Sequence, residues 1–211
     1  MGFIKEDIRK LAETNSQEII ERVTKYSNFI SRVIYDMKWY DPPLHTVRGQ
    51  MFNTDLNELI KFLVDHLFLR ISSHTETFDF NLALEENVPS VQINQFVVWE
   101  ILEPLIQNCI DHAGVDKILI NISTNYYRQS RTTILKIFDN GKGFDNDLLN
   151  IDERGQKKIF SENVSTKNYE NQNSGYGCYI AYQIAVKRCG WELDAVNKED
   201  GGAMFVIKIK N

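Results

Sequence analysis

The chain has 211 residues, 43% of them apolar and 25% charged, which fits one ordinary domain with an extension, or two small domains, around a real core. A net charge of −5 excludes a general pull toward nucleic acid or anionic membrane, so any phosphate site has to be local. No apolar run approaches the roughly 20 residues of a membrane span, no secretion signal opens the chain, and Cys109, Cys178 and Cys189 lack metal-like spacing and read as reduced thiols of a cytoplasmic protein.

Residues 3–40 carry apolar side chains at threes and fours: Ile4, Ile8 and Leu11, then Ile19, Ile20 and Val23, then Ile30, Val33, Ile34 and Met37. This predicts one long helix or a helical hairpin broken near Thr14–Gln17. Such a stripe has no core of its own and should dimerise; the alternative is a helix folded back on its own domain. Pro42-Pro43 ends it, and a boundary is expected here, with a helical region over 1–41, a linker over 42–52 and a second domain over 53–211.

Thr54 or Asp55 caps the next helix, whose apolar face is Leu56, Leu59, Ile60, Leu63, Val64 and Leu67 and which should reach about Ile71. Phe78 to Leu84 alternates as a strand does. Asn94 caps a helix to about His112, with Val98, Leu102, Leu105, Ile106 and Cys109 on its apolar arc and Glu100, Glu103, Gln107 and Asp111 opposite. Asn108 and His112, four apart, share a border where a polar pair can face a cleft or simply make local hydrogen bonds. Pro104 inside the helix is unusual, because its ring and missing N–H cost about 3 kcal/mol there.

Asp116–Thr124 and Arg131–Phe138 read as a hairpin across the polar loop Asn125–Ser130. The second strand ends in Asp139-Asn140-Gly141-Lys142-Gly143. One fixed carboxylate followed by two glycines suits a nucleotide pocket, and equally a plain strand with a glycine turn. Residues 145–173 lack sustained periodicity and contain Phe160 and Ser165-Thr166-Lys167. A connection of that length is usually functional or disordered. Gly175-Tyr176-Gly177 opens a helix that ends at Gly190; backbone N–H groups at such a start favour an anion, although Gly-x-Gly alone is a weak signal. Trp191–Asn197 and Ala203–Lys210 close the chain as two strands about a Gly201-Gly202 turn.

The order of these motifs resembles the ATP-binding domain shared by gyrase, the heat-shock chaperone ATPase, histidine kinases and mismatch-repair ATPases (the GHKL superfamily), and most of all the sensor histidine kinases, over about residues 53–211. The resemblance implies an α+β fold, a two-layer α/β sandwich of Bergerat type in which helices back a mixed sheet. It also implies ATP and Mg²⁺ as ligands. By it, Asn108 is the magnesium ligand and His112 its phosphate-side neighbour, and Asp139, Gly141 and Gly143 form the adenine box. Phe160 stands at the F box, Thr166 and Lys167 open an ATP lid spanning 145–173, and Gly175, Tyr176 and Gly177 meet the phosphates. A response regulator and a second copy of the chain are the implied partners, and the implied parent protein is cytoplasmic or membrane-tethered.

The chain departs from the pattern at several positions. Pro104 replaces the glutamate of the ATP-hydrolysing relatives, Asp111 stands where many kinases are basic, and Asn173 replaces a glycine. Residues 5–11 resemble the phosphoacceptor box with Glu6 where histidine would stand, and none of His45, His66, His74 and His112 lies on the first helix. The chain is then an excised or altered kinase piece, or a pseudokinase-like scaffold; a serine kinase of the anti-sigma-factor type is a third alternative.

Overall fold

The structure, a computed structural model, describes residues 53–68, 78–162 and 177–211, all in the unit Met51–Asn211. The expected N-terminal helices with Glu6 and the linker lie outside the described residues, as do Thr166, Lys167, Gly175 and Tyr176.

Asp55 caps α1 (Leu56–Phe62): its carboxylate accepts the Glu58 N–H at 3.0 Å. Thr54 is buried in a bridge to Val91, and its hydroxyl donates to the Ile93 carbonyl at 2.6 Å. The helix continues as wider π turns over Leu63–Phe68, and together the two segments bury Leu56, Leu59, Ile60, Leu63, Val64 and Phe68. β1 (Phe78–Leu84) follows, then α2 (Gln95–His112), which starts where Asn94 accepts the Phe96 N–H at 2.7 Å and runs through Pro104. β2 (Ile118–Tyr127) and β3 (Thr132–Phe138) form the hairpin. The strand runs further than the polar composition of Asn125–Ser130 predicts, because Tyr126 and Tyr127 pair with Thr133 and Thr132. The turn narrows accordingly, and Arg131 takes a left-handed φ of 49°.

The helix α4 (Gly177–Tyr182) widens into π turns over Gln183–Arg188, and Gly190 (φ 68°) redirects the chain. β4 (Glu192–Asn197) and β5 (Ala203–Lys210) complete a five-stranded sheet of order β1-β2-β3-β5-β4. Only the β1–β2 pair is parallel, and α2 supplies the crossover it requires.

Alternation places one face of every strand on the helices. Leu82, Ile122, Ile137, Phe205 and Ala195 line up across the sheet, as do Leu84, Thr124, Leu135, Ile207 and Leu193. Against them lies the apolar arc of α2: Val97, Val98, Ile101, Leu102, Leu105, Ile106 and Cys109, all buried. Each fully buried Leu, Ile or Phe contributes about 1.5–3 kcal/mol, so this layer is the main source of stability in the unit. Both edge strands carry side-chain hydrogen bonds on their backbone. On β4 the Asp194 carboxylate accepts the Ala195 N–H, while the Lys157 ammonium donates to the Ala195 carbonyl and pairs with Asp194, both at 2.7 Å. On β1 the Asp79 carboxylate accepts the Phe80 N–H at 2.8 Å.

The stretch expected to be an aperiodic lid from Asp145 onward is built structure as far as Glu162. It holds a single helical turn, α3 (Asn146–Leu149), an Ile151–Lys157 bridge and a 3₁₀ turn over Lys158–Phe160. Side chains rather than a periodic apolar pattern hold it. The Asp152 carboxylate accepts from the Arg154 and Gln156 N–H groups and from the Ser161 hydroxyl, and the Gln156 amide donates to the Phe160 carbonyl.

Candidate nucleotide site

β3 runs out at Phe138, and the next carboxylate is fixed where the strand ends. Asp139 is 2% exposed, and its Oδ1 accepts two backbone N–H groups, from Gly141 at 2.8 Å and Ala203 at 3.1 Å. Oδ2 is left without a backbone donor among the described residues. A buried carboxylate seated on one oxygen presents the other as an acceptor of fixed direction, which suits a ligand N–H₂.

The turn after Asp139 is seated on three sides. Toward α2, the Lys142 N–H donates to the Ala113 carbonyl at 3.0 Å, and Gly141 lies so close that a methyl there would sit 2.3 Å from that oxygen. Toward β5, the Asp139 N–H donates to the Ala203 carbonyl, and Gly202 (φ 94°) would bring a methyl to 2.0 Å from the Asp139 carbonyl. Toward β2, the Asn140 side chain accepts the Leu119 N–H and donates to the Lys117 carbonyl. Gly143 has φ 82°, open to glycine at little cost.

The α2 residues expected at the site sit beside this turn. Cys109 touches Asp139; burial first, then the Asp139 charge and its hydrogen bond, push the thiol well above its ordinary range and keep it a neutral donor. Its predecessor Asn108 is half-buried, and its carboxamide makes no hydrogen bond to another described residue. One turn earlier Pro104 meets Gly177: a methyl on that glycine would lie 3.0 Å from the proline Cβ. The start of α4 therefore abuts α2 one turn from Asn108, and Asp139 abuts α2 through the residue after it. His112 is exposed at the last turn of α2. Asp111 accepts a hydrogen bond from Gln107 at 3.1 Å.

Phe160 stands apart from this group. It is 1% exposed, stacks on Tyr182 at 4.8 Å between centroids, and lies 6.5 Å from Phe205 in the aromatic core. In the sequence Cys109 is an ordinary member of the apolar arc, and its position directly after Asn108 is the one signal that marks it. The roles of Gly202, Ala203 and Asn140 depend on strands that meet only in the fold.

Residues 94–211 match the family described as "Histidine kinase-, DNA gyrase B-, and HSP90-like ATPase". The sensor protein KdpD of Clostridium acetobutylicum is 24% identical over 201 residues; these are 93% of this chain and 21% of that protein, so the chain spans about a fifth of the relative's length. Among solved structures, the nucleotide-free catalytic domain of histidine kinase ThkA is similar with a TM-score of 0.60 at 24% identity, covering 76% of this chain and 95% of that one. ThkA in complex with the response regulator protein TrrA gives 0.57 at 19% identity, over 99% of this chain and 57% of that one. Full-length ShkA in complex with AMPPNP gives 0.59 at 13% identity, over 92% and 37%. The fold is that of histidine kinase catalytic domains.

Proposed function

Because the chain belongs to the histidine kinase-, DNA gyrase B- and HSP90-like ATPase family, we propose that residues 53–211 are the ATP-binding catalytic domain of a two-component sensor histidine kinase. The γ-phosphoryl group would pass to a histidine and then to a response-regulator aspartate. The observation that carries the reading is the buried Asp139 carboxylate, seated by two backbone N–H groups on one oxygen and set against the helix that holds Asn108.

Asp139 accepts the exocyclic amine of adenine. Gly141 and Gly202 keep the wall around it thin, since a side chain at either would meet backbone. Asn108, whose half-buried carboxamide is uncommitted among the described residues, offers the oxygen ligand a hard cation prefers. When bound there, Mg²⁺ supplies charge neutralisation of the triphosphate. Gly177, with Gly175 and Tyr176 before it, begins the helix that meets the phosphates; His112, Thr166 and Lys167 are assigned to the same phosphate side. Phe160, in the core, anchors the start of the lid. Catalysis is then positioning and charge stabilisation. Pro104 carries no group that could activate water, which favours transfer over hydrolysis. Residues 1–41 are proposed as the dimerisation region, joined through the linker 42–52. The response-regulator partner is supported by the ThkA–TrrA complex.

The test is calorimetric titration with ATP, with and without Mg²⁺, on wild type and Asp139→Asn. The variant keeps one oxygen for Gly141 and Ala203 and turns its amide toward the ligand's donor. Losing a hydrogen bond to a charged group costs about 1.5–3 kcal/mol, so affinity should fall roughly tenfold to a hundredfold while thermal stability changes little. Equal affinity in the two proteins refutes the adenine assignment. A second reading, an ATP-binding switch without phosphotransfer, is favoured by Glu6 at the matched phosphoacceptor position. Glu6→His incubated with ATP separates the two: acid-labile phosphohistidine at that position supports the kinase, and ATP binding without it supports the switch.

A further inference from the structure

The turn that follows Asp139 leaves the sheet and is caught again at Phe144 by a single side chain. The Phe144 N–H donates to Asn197 Oδ1 at 2.7 Å, and Asn197 Nδ2 donates to the Phe144 carbonyl at 2.9 Å. One carboxamide thus makes to Phe144 the pair of hydrogen bonds that a facing strand residue makes in an antiparallel ladder. Asn197 is the last residue of β4 and pairs with Ala203, the residue whose N–H and carbonyl both bond Asp139. It also packs over the turn: a methyl on Gly143 would meet Asn197 Oδ1 at 2.6 Å. Beyond it, the Phe144 ring meets Phe205 edge-on at 5.2 Å, so the clamped residue is fixed on the core side as well. The row Asp139–Ala203–Asn197–Phe144 therefore closes a loop through four residues drawn from three parts of the chain.

We infer that Asn197 is a positioning residue for nucleotide binding: its carboxamide holds the Asp139–Phe144 turn in the conformation that adenine meets. This rests on the assignment of Asp139 to adenine. Asn197 is exposed and 53 residues from Phe144, and it touches the turn rather than the ligand. Its effect is on the fraction of molecules whose turn is already shaped for binding. Apparent affinity falls by that fraction. Two exposed hydrogen bonds, partly replaced by water when lost, place the loss at about tenfold.

The experiment is calorimetric titration of ADP with Mg²⁺ into wild type, Asn197→Ala and Asn197→Asp, from about pH 7 down to about pH 4, a range that reaches the ordinary aspartate value of about 3.9. Asn197→Ala should bind about tenfold more weakly while its circular dichroism matches wild type. Asn197→Asp carries the informative sign. Ionised, its carboxylate accepts from the Phe144 N–H but faces the Phe144 carbonyl without a donor. Protonated, it has both a donor and an acceptor, as the carboxamide does. Its affinity relative to wild type at the same pH should therefore recover as pH falls. Asn197→Ala, having no group to titrate, should keep a constant ratio. Wild-type binding matched by Asn197→Ala overturns the clamp and leaves the nucleotide reading standing. A wild type that binds no ADP overturns the nucleotide reading itself. Should Asn197→Ala fail to fold, the Asn197→Asp ratio still decides: a flat ratio across pH overturns the inference.

Discussion

Replacing Gly141 by alanine tests the seating of the adenine turn on α2. The added methyl would lie 2.3 Å from the Ala113 oxygen, 2.5 Å from its Cα and 2.8 Å from its carbonyl carbon, all of them backbone atoms. Ordinary carbon contacts are about 3.5–4.0 Å, so the turn or the end of α2 has to move by roughly an ångström. Overpacking of this kind costs about 1–3 kcal/mol. The shift also pulls on the Lys142 N–H bond to Ala113 and the Gly141 N–H bond to Asp139, worth about 0.5–1.5 kcal/mol each. The expected loss is about 2–4 kcal/mol, or a Tm lower by roughly 5–15 °C for a domain of this size. Urea and thermal denaturation measure it, with Gly155→Ala as the comparison. That glycine has no atom within 4 Å of its would-be methyl and only its φ of 78° to disturb, so about 1–2 kcal/mol is expected there and no change in nucleotide affinity. A Gly141→Ala protein within about 1 kcal/mol of wild type would refute the close seating.

Two further outcomes follow from buried and half-buried titratable groups. Glu100 has its carboxyl raised above 4.5, first by burial and then by the Glu103 charge. The folded state therefore holds that proton more tightly than the unfolded one, and the group's contribution is fully present below 4.5 and lost as pH rises through the folded value. Glu100→Gln should raise Tm at neutral pH, and the gain should shrink as the medium is acidified toward 4.5; a gain independent of pH would contradict it. The thiols of Cys178 and Cys189 are pushed up by burial to about 12 and about 11, and that of Cys109 well above its usual range, by burial before the Asp139 charge. Maleimide at about pH 8 should label half-buried Cys189 slowly, and Cys109 and Cys178 only on unfolding. Labelling of Cys109 in the native protein at the rate of an open thiol would refute its burial against Asp139.

Strand alternation, the Asn94 cap and the Asp139-x-Gly-x-Gly turn were legible because each is a local pattern whose physics acts within a few residues. Phe78–Leu84 appears as a strand with the expected ends, and Asn94 caps α2 as its side chain suggests. The region 145–162 was not legible. Its order comes from Asp152, Gln156 and Ser161 bonding one another and nearby backbone, a pattern with no period and a composition typical of loops. Nor could the sequence disclose that Cys109 abuts Asp139, or that Asn197 reaches Phe144, since both depend on the packing of distant elements. Phe160, read from the sequence as the F-box residue and a loop anchor, is buried in the aromatic core, and its stacking on Tyr182 joins the end of the 145–162 segment to α4.

The two edge strands have a consequence for how this unit behaves in a crowded solution. A sheet that ends in open N–H and carbonyl groups offers itself as a template for the strand of another molecule. On β4 the Asp194 carboxylate withdraws the Ala195 N–H, Lys157 withdraws the Ala195 carbonyl, and the two charges meet each other. On β1 Asp79 does the same for the Phe80 N–H. A foreign strand would have to break charge-assisted hydrogen bonds and strip water from an ion pair to register at these points. Short aspartates placed one residue before the amide they occupy thus guard the sheet against self-recruitment without lengthening the chain by a single residue.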